Sequence, residues 1–122
     1  MKSEIVVDGE KYVLASSVEN LKPAHSLKGK KYVIVRTYSA GVFAGYLESR
    51  NGKEGVILDS RRIWYWKGAN SLSQLAIEGV KFPAECKFGM VVPRTELTEI
   101  IEVIDVTEVA QKNIQGVFVW KQ

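Results

Sequence analysis

The residues with the widest chemical capability lie in two short stretches, Arg36 to Gly45 and Ser60 to Trp66. The first follows a cation with hydroxyl side chains and a turn of small residues, and the second joins two adjacent arginines to three aromatic residues. Arginine forks bind phosphates, aromatic faces stack on bases, and a glycine turn lets backbone N–H groups approach an anion. Together these stretches predict a site for a phosphorylated ligand that contains a base.

The chain carries little of the chemistry that catalysis needs. It has a single histidine, His25, and a single cysteine, Cys86, which do not supply the three or four ligands of an ordinary zinc site. No nucleophile elbow, Walker loop or dinucleotide-binding fingerprint occurs. Carboxylates are the remaining acid–base candidates, and Asp59 and Asp105 are typical of turn or strand-end positions. We therefore expect a protein that binds its ligand without a metal, a cofactor or catalysis.

The composition is that of one soluble globular domain. The chain has 122 residues, of which 46% are hydrophobic and 25% charged, and its net charge is +3. So mild an excess of basic residues argues against a dedicated duplex-DNA binder, whereas a small anionic ligand needs only a few well-placed cations. The lone cysteine forms no intrachain disulfide, and no apolar run approaches the length of a membrane span. We expect a cytoplasmic protein with no membrane partner.

Hydrophobic patterning predicts a meander of antiparallel strands. A first hairpin over residues 5–14 turns at Asp8-Gly9, and a loop follows over residues 16–30. The small-residue turn at 39–41 and the Asn51-Gly52 pair separate later strands. These strands are expected at Lys31–Tyr38, Val42–Ser49, Glu54–Leu58 and Arg61–Trp66.

The second half of the chain predicts two short helices. One spans 70–79, with Ser71 and Gln74 placed as a capping box, and the other spans 107–115. Further strands are expected at 97–106 and 117–120. The fold class is therefore α+β, a mostly antiparallel β-sheet meander with two short helices, and so short a chain gains from forming a homo-oligomer.

Strand alternation decides which of the candidate side chains share a face. Arg36 falls on an apolar face, where a charge needs either a partner or a function. Arg61 and Arg62 point to opposite faces, whereas Trp64 and Trp66 share one. A pocket that uses both of the adjacent arginines therefore needs a second chain to complete it, unless a β-bulge intervenes.

At these residues the sequence resembles a family of phage and prophage proteins that inhibit Thoeris immunity by sequestering cyclic ADP-ribose-type signals. The resemblance covers about residues 31–120, which would form a ligand-binding core within the single domain 1–122, and it leaves 1–30 as a variable N-terminal hairpin and loop. The segments that carry it are Tyr32-Val-Ile-Val-Arg-Thr-Tyr-Ser-Ala-Gly-Val-Phe-Ala-Gly45, Arg61-Arg-Ile-Trp-Tyr-Trp66, Gly68-Ala-Asn-Ser-Leu-Ser-Gln-Leu-Ala76 and Val117-Phe-Val-Trp120.

The resemblance implies a binder that is not an enzyme. Members of that family hold the signal intact, including glyco-cyclic ADP-ribose, and deny it to the immune effector. They form homodimers whose recessed pockets use residues of both chains, and some form hexamers. Some members also bind cyclic oligonucleotides at separate sites. No obligate nucleic-acid partner is implied.

The resemblance also implies roles for individual residues. The phosphate and the ribose would be lined by hydroxyls and backbone N–H groups of Thr37, Ser39, Ala40, Gly41 and Val42. The diphosphate would be neutralised by Arg36, Arg61 or Arg62. The adenine would stack on Phe82 or on a tryptophan of the 64–66 run, with Trp64 as the candidate.

Three other functions are compatible with the same residues. An aromatic and basic sheet is typical of a module that binds single-stranded nucleic acid. An enzyme that cleaves such signals with a carboxylate base is a second alternative. A phage structural protein whose aromatic residues all lie at interfaces is a third.

Overall fold

The structure is a computed structural model and describes residues 4–7, 10–13 and 22–121. It confirms the α+β class, since the strands form a mostly antiparallel sheet and two short helices accompany it. Within the described ranges, no helix is long and apolar enough to cross a membrane. The elements are β1 (Glu4–Val7), β2 (Glu10–Val13), β3 (Tyr32–Thr37), β4 (Val42–Asn51), β5 (Glu54–Tyr65), α1 (Leu72–Glu78), β6 (Lys87–Phe88), β7 (Val92–Leu97), β8 (Ile100–Asp105) and α2 (Glu108–Gly116).

The predicted N-terminal hairpin is confirmed for its strands. β1 and β2 pair antiparallel in a sheet of their own, and Val7 faces Glu10 in the register. That register leaves two residues for the turn, as the sequence predicts for Asp8-Gly9, although these two residues lie outside the described part of the chain.

The main sheet has the strand order β6-β5-β4-β3-β8, and β7 also pairs with β5. β7 and β8 lie beside different strands, yet only Thr98 and Glu99 join them. The sheet must therefore curl so that its two edges, formed by β8 and β7, approach each other. Accordingly, the backbone N–H of Ile100 at the start of β8 donates to the carbonyl of Lys53, at the tip of the β4–β5 hairpin, over 2.9 Å.

β5 is one strand of 12 residues, so the prediction of two separate strands at 54–58 and 61–66 is wrong. The chain continues through a β-bulge, where the pairing with β4 shifts register and Asp59 has a φ of 46°. Gly45 lies opposite this bulge, and a Cβ there would be 2.9 Å from the carbonyl oxygen of Leu58. The close backbone approach explains the glycine and accentuates the curl of the sheet.

Each face of the main sheet covers a separate hydrophobic core. β3 is buried on both faces: Tyr32 and Ile34 belong to one core, and Val33 and Val35 belong to the other. The helix-side core also includes Ala44, Ile63, Leu75, Phe88, Ala110 and Ile114. The inner core also includes Phe43, Ile57, Leu97 and Ile100.

Both helices begin at a residue whose side chain caps the helix. Ser71 Oγ accepts from the N–H of Gln74 over 3.2 Å at the start of α1, while Gln74 Oε1 accepts from the N–H of Asn70 over 2.7 Å. At the start of α2, Thr107 Oγ1 accepts from the N–H of Ala110 over 3.1 Å and donates to the carbonyl of Ile77 over 2.6 Å. The Thr107 hydroxyl therefore also ties the beginning of α2 to the end of α1.

The C-terminal third differs from its prediction in three ways. The prediction of a strand at 117–120 is wrong, because this segment makes one isolated parallel bridge, from Val119 to Phe88. The sequence does not predict β6 or β7. Gly89 to Val91 separate the two strands, and Pro93 breaks the apolar pattern of β7. The strand expected at 97–106 exists as β8, but Leu97 belongs to β7.

Candidate functional site

The candidate site lies where the β3–β4 turn meets β5. Val42 pairs with Ile63, and Phe43 pairs with Arg62. Extending that register by one residue sets Gly41 opposite Trp64. The two stretches that the sequence singles out, about twenty residues apart in the chain, are therefore neighbours at one end of the sheet.

The β3–β4 turn closes on itself through Thr37, which is buried. The Thr37 hydroxyl donates to the carbonyl of Gly41 over 2.8 Å and accepts from the N–H of Ala40 over 3.0 Å. Gly41 has a φ of 96°, a backbone conformation that disfavours side chains. The hydroxyl and the Ala40 N–H thus serve to shape the turn.

Glu99 is a residue at the site that the sequence did not reveal. Ser39 Oγ donates to its carboxylate, and the N–H of Tyr38 donates to its carbonyl over 2.9 Å. A carboxylate here repels a phosphate but accepts hydrogen bonds from hydroxyls. This side of the turn therefore suits a sugar better than a phosphate. The pairing of β8 with β3, in which Thr37 lies opposite Ile100, brings Glu99 here, so no local pattern could have indicated it.

Arg36 is ion-paired, one of the two outcomes expected for a strand arginine on an apolar face. Its Nε lies 3.1 Å from Glu102 Oε1, and its side chain is half-exposed. An exposed ion pair contributes only about 0–1 kcal/mol, so a ligand phosphate can compete for the guanidinium. Arg36 and Arg62 lie on opposite faces of the sheet, because Arg36 pairs with Val42 and Arg62 with Phe43.

Arg61 is buried and binds backbone carbonyls. Its Nε donates to Gly89 over 2.9 Å, and its Nη1 donates to Ile114 over 3.0 Å and to Val117 over 2.8 Å. Ile114 and Val117 end α2, where the helix dipole favours a cation. Its Nη2 is buried with no hydrogen-bond partner within the part of the chain that the structure describes. Arg61 is thus placed inside the protein, away from any ligand on the surface of this chain.

Arg61 and Tyr32 influence each other inside the helix-side core. Burial lowers the pKa of the Arg61 guanidinium, and the Tyr32 phenol opposes that change. Burial raises the pKa of the Tyr32 phenol, and the Arg61 guanidinium opposes this in turn. At neutral pH the phenol is therefore uncharged, and the guanidinium keeps its charge.

Arg62 and Trp64 line a hollow on the inner-core face of the sheet, near the end of β5. The guanidinium carbon of Arg62 lies 4.7 Å from the centroid of the Phe43 ring, and the Trp64 side chain is 54% exposed. The hollow, which Phe43, Gly89 and Met90 also border, has a volume of about 180 Å³. It offers a cation and an aromatic face within one small space, which is the pairing needed for a phosphate next to a base.

Two larger hollows in the described part of the chain are less suited to a ligand that contains a base. One of about 680 Å³ lies between β8 and α1 and is bordered by Glu102, Asp105 and Lys22. The other, of about 380 Å³, lies near the hairpin tip and is bordered by Glu54, Glu96 and Arg50. No aromatic side chain among the described residues borders either hollow, so neither offers a ring on which a base could stack.

The aromatic run 64–66 is divided between two environments. Trp64 meets Trp120 edge to face, with ring centroids 5.8 Å apart at 68°. Trp66 lies beyond the end of β5 and packs against the helix-side core. The prediction that Trp64 and Trp66 share a face is therefore wrong. Lys87 Nζ lies 5.0 Å from the Trp120 ring and 6.0 Å from the Tyr65 ring.

Phe82 is half-exposed and lies apart from the hollow. It precedes a short 3-10 turn, Pro83–Glu85, and Lys67 Nζ lies 5.8 Å from its ring centroid. In the described residues, no group of three or more histidine, cysteine or acidic side chains could hold a metal ion. His25 is largely exposed, with Nε2 3.2 Å from Glu108 Oε2.

Comparison with known proteins gives one match. A family model described as a domain of unknown function (DUF6948) matches residues 30–114, more than half of the chain. The match includes the β3–β4 turn, Arg62, Trp64 and Phe82, and it ends before Trp120. No curated protein matches the chain. No solved structure matches it either.

Proposed function

Because the chain belongs to the DUF6948 domain family, whose function is unknown, we propose its function from the site: it binds and sequesters cyclic ADP-ribose-type signals, such as glyco-cyclic ADP-ribose, without degrading them. The observation that carries the proposal is the hollow in which the Arg62 guanidinium lies over Phe43 beside the exposed Trp64. The resemblance to anti-Thoeris proteins supports the same ligand. The setting would be the cytoplasm of a bacterium that carries a phage or prophage.

Each group at the sheet end has a role in this proposal. Trp64 stacks on the adenine, because its indole is half-exposed and partly fixed by Trp120. Arg62 neutralises the diphosphate. The ribose lies against the turn at 39–42, where Glu99 accepts from its hydroxyls. Arg61 supports the site from inside the protein.

The volume of the hollow favours a homo-oligomer. Pockets for ligands of this class measure roughly 300–1,000 Å³, whereas the hollow in one chain holds about 180 Å³. We infer that a second chain closes the pocket and brings residues such as Arg36 and Phe82 to the ligand. Exposed apolar side chains provide a surface for that contact, among them Met90 and Val92 at the hollow and Tyr65, Val91 and Phe118 elsewhere.

Binding alone is sufficient for this function. A ligand of about 35 heavy atoms at roughly 0.3 kcal/mol per atom reaches a binding free energy of about −10.5 kcal/mol. That value corresponds to a Kd of tens of nanomolar, roughly. A protein present at micromolar concentration would then remove the free signal without turnover.

The test is capture followed by release. The protein is incubated with cyclic ADP-ribose isomers made by a TIR enzyme, the free ligand is filtered away, and the retained protein is heat-denatured. We expect mass spectrometry to find the ligand depleted from the filtrate and intact in the heated fraction. A chemically altered ligand would establish an enzyme instead, and an undepleted filtrate would contradict the proposal.

A single-stranded nucleic-acid-binding module is the second candidate. It is favoured by Lys87, whose Nζ lies close to both the Tyr65 and the Trp120 rings, since alternating cations and rings suit stacked bases. Fluorescence anisotropy with a labelled single-stranded oligonucleotide separates the two functions. Tight binding that weakens steeply with salt, together with no capture of the cyclic ligand, would establish the nucleic-acid binder.

A further inference from the structure

We propose that Arg61 is a positioning residue for the Trp64 indole, so that it controls ligand stacking without touching the ligand. The proposal rests on the function proposed above, in which Trp64 stacks on the adenine. Two chains of contact lead from the buried guanidinium to the two sides of the indole.

The first chain of contact runs through Gly89. Arg61 Nε donates to the Gly89 carbonyl over 2.9 Å, and the Gly89 N–H donates to the carbonyl of Arg62 over 2.7 Å. The Gly89 backbone is therefore fixed at both its polar groups. A Cβ added to Gly89 would lie 3.4 Å from Trp64 Cη2, so this backbone lies directly against the outer ring of the indole.

The second chain of contact runs through the C-terminal segment. Arg61 Nη1 binds the carbonyls of Ile114 and Val117, which fixes the point where the chain leaves α2. Three residues later the Trp120 N–H donates to the Phe88 carbonyl over 2.9 Å. The Trp120 ring then meets the Trp64 ring edge to face.

An arginine suits this position better than other side chains. Its rigid fork presents several N–H donors in fixed directions, so one side chain holds three carbonyls from two different segments. A lysine has a single nitrogen on a flexible stem and cannot reproduce that pattern. With Gly89 and Trp120 held, the indole is fixed before the ligand arrives, which lowers the ordering cost of binding.

The experiment compares Arg61→Lys with Arg50→Lys by fluorine NMR of protein labelled with 5-fluorotryptophan. Arg50 is a matched control, because its Nε also donates to a carbonyl, that of Gly52, at the exposed hairpin tip. We expect Arg61→Lys to shift and broaden the Trp64 resonance. Ligand capture should weaken about tenfold or more, as expected for a displaced stacking group. Arg50→Lys should change neither the Trp64 resonance nor ligand capture.

A folded Arg61→Lys protein that loses capture with an unchanged Trp64 resonance would overturn the proposal, and so would unchanged capture. Should Arg61→Lys fail to fold, Trp120→Ala tests the second chain of contact, since it removes the ring through which that chain reaches the indole. We expect the same change at Trp64 and weaker capture, and unchanged values would overturn the proposal. If the unaltered protein captures no ligand, the proposed function fails, while the Trp64 resonance of the variants still decides the positioning.

Discussion

Arg61 and Arg62 are adjacent in the chain, yet one guanidinium is buried among carbonyls and the other lies over the Phe43 ring. Alternation along β5 explains the difference, and it was predictable from the sequence. The burial of Arg61 was not, because its three acceptors come from segments 28 to 56 residues away. A local pattern identifies an arginine that needs a partner, but it does not identify the partner.

Arg62→Gln should weaken ligand capture, because the variant keeps much of the side chain and loses the charge. A charge-assisted hydrogen bond contributes about 1.5–3 kcal/mol, which corresponds to a Kd roughly ten to a hundred times higher. Isothermal titration calorimetry measures the change. Arg50→Gln, at the hairpin tip away from the hollow, serves as the control and should bind normally. Equal affinities in the two variants would remove Arg62 from the site.

Burial of the Tyr32 phenol should make the protein less stable in alkaline solution. Burial raises the pKa of its phenol above the ordinary value, while in the unfolded chain the phenol ionises near pH 10, roughly. The protonated phenol therefore stabilises the fold fully below that pH, and this contribution is lost as the pH rises further, by about 1.4 kcal/mol per unit. Urea unfolding should show that the free energy of unfolding falls more steeply with pH above 10, roughly, for the unaltered protein than for Tyr32→Phe. Parallel curves would contradict this.

At the scale of elements, side-chain caps and glycine turns made the helices and the β3–β5 meander predictable. Ser71 and Thr107 both cap as their sequence positions indicate. β6 and β7 escaped prediction, because their pairing with β5 is set by long-range register and their own sequence is interrupted at Gly89 and Pro93. The single strand β5 escaped as well, since the bulge at Asp59 looks like a turn in the sequence.

Thr107→Ala should destabilise the protein more than Ser71→Ala. Ser71 contributes one exposed capping bond, worth about 1 kcal/mol. Thr107 loses a cap and also its bond to the Ile77 carbonyl, so we expect about 2 kcal/mol. Urea unfolding of both variants gives the two free energies. A larger cost at Ser71 would mean that the Thr107 hydroxyl does not join the helices.

At the scale of the whole molecule, the antiparallel pairings β8–β3, β3–β4 and β4–β5 bring Glu99, the β3–β4 turn and β5 to one end of the sheet. The turn and β5 were both identifiable in the sequence as candidate ligand contacts, because both carry groups that bind phosphate or bases. Glu99 was not identifiable, because its position depends on the pairing of β8 with β3. The modest size of the hollow was not predictable either, because residues from three separate segments border it.

Assembly of the protein should depend on its exposed apolar side chains. We expect multi-angle light scattering to give the mass of a dimer or a larger homo-oligomer at micromolar concentration. Phe118 is 81% exposed, and Phe118→Ser should lower that mass by removing contact area. Val109, which is 67% exposed on α2, provides a control in Val109→Ser that should assemble normally. A monomeric unaltered protein would contradict the shared pocket.

The burial of β3 on both faces also has a consequence for measurement. Val33, Ile34 and Val35 are fully buried, so their amide hydrogens should exchange with solvent only when the whole domain opens. Their exchange rates therefore report global stability from the centre of the molecule. A ligand present at a hundred times its Kd adds about 2.7 kcal/mol to the free energy of unfolding, so it would slow exchange at these amides about a hundredfold. Exchange at these three amides would therefore report occupancy of a hollow that the side chains of Val33, Ile34 and Val35 do not border.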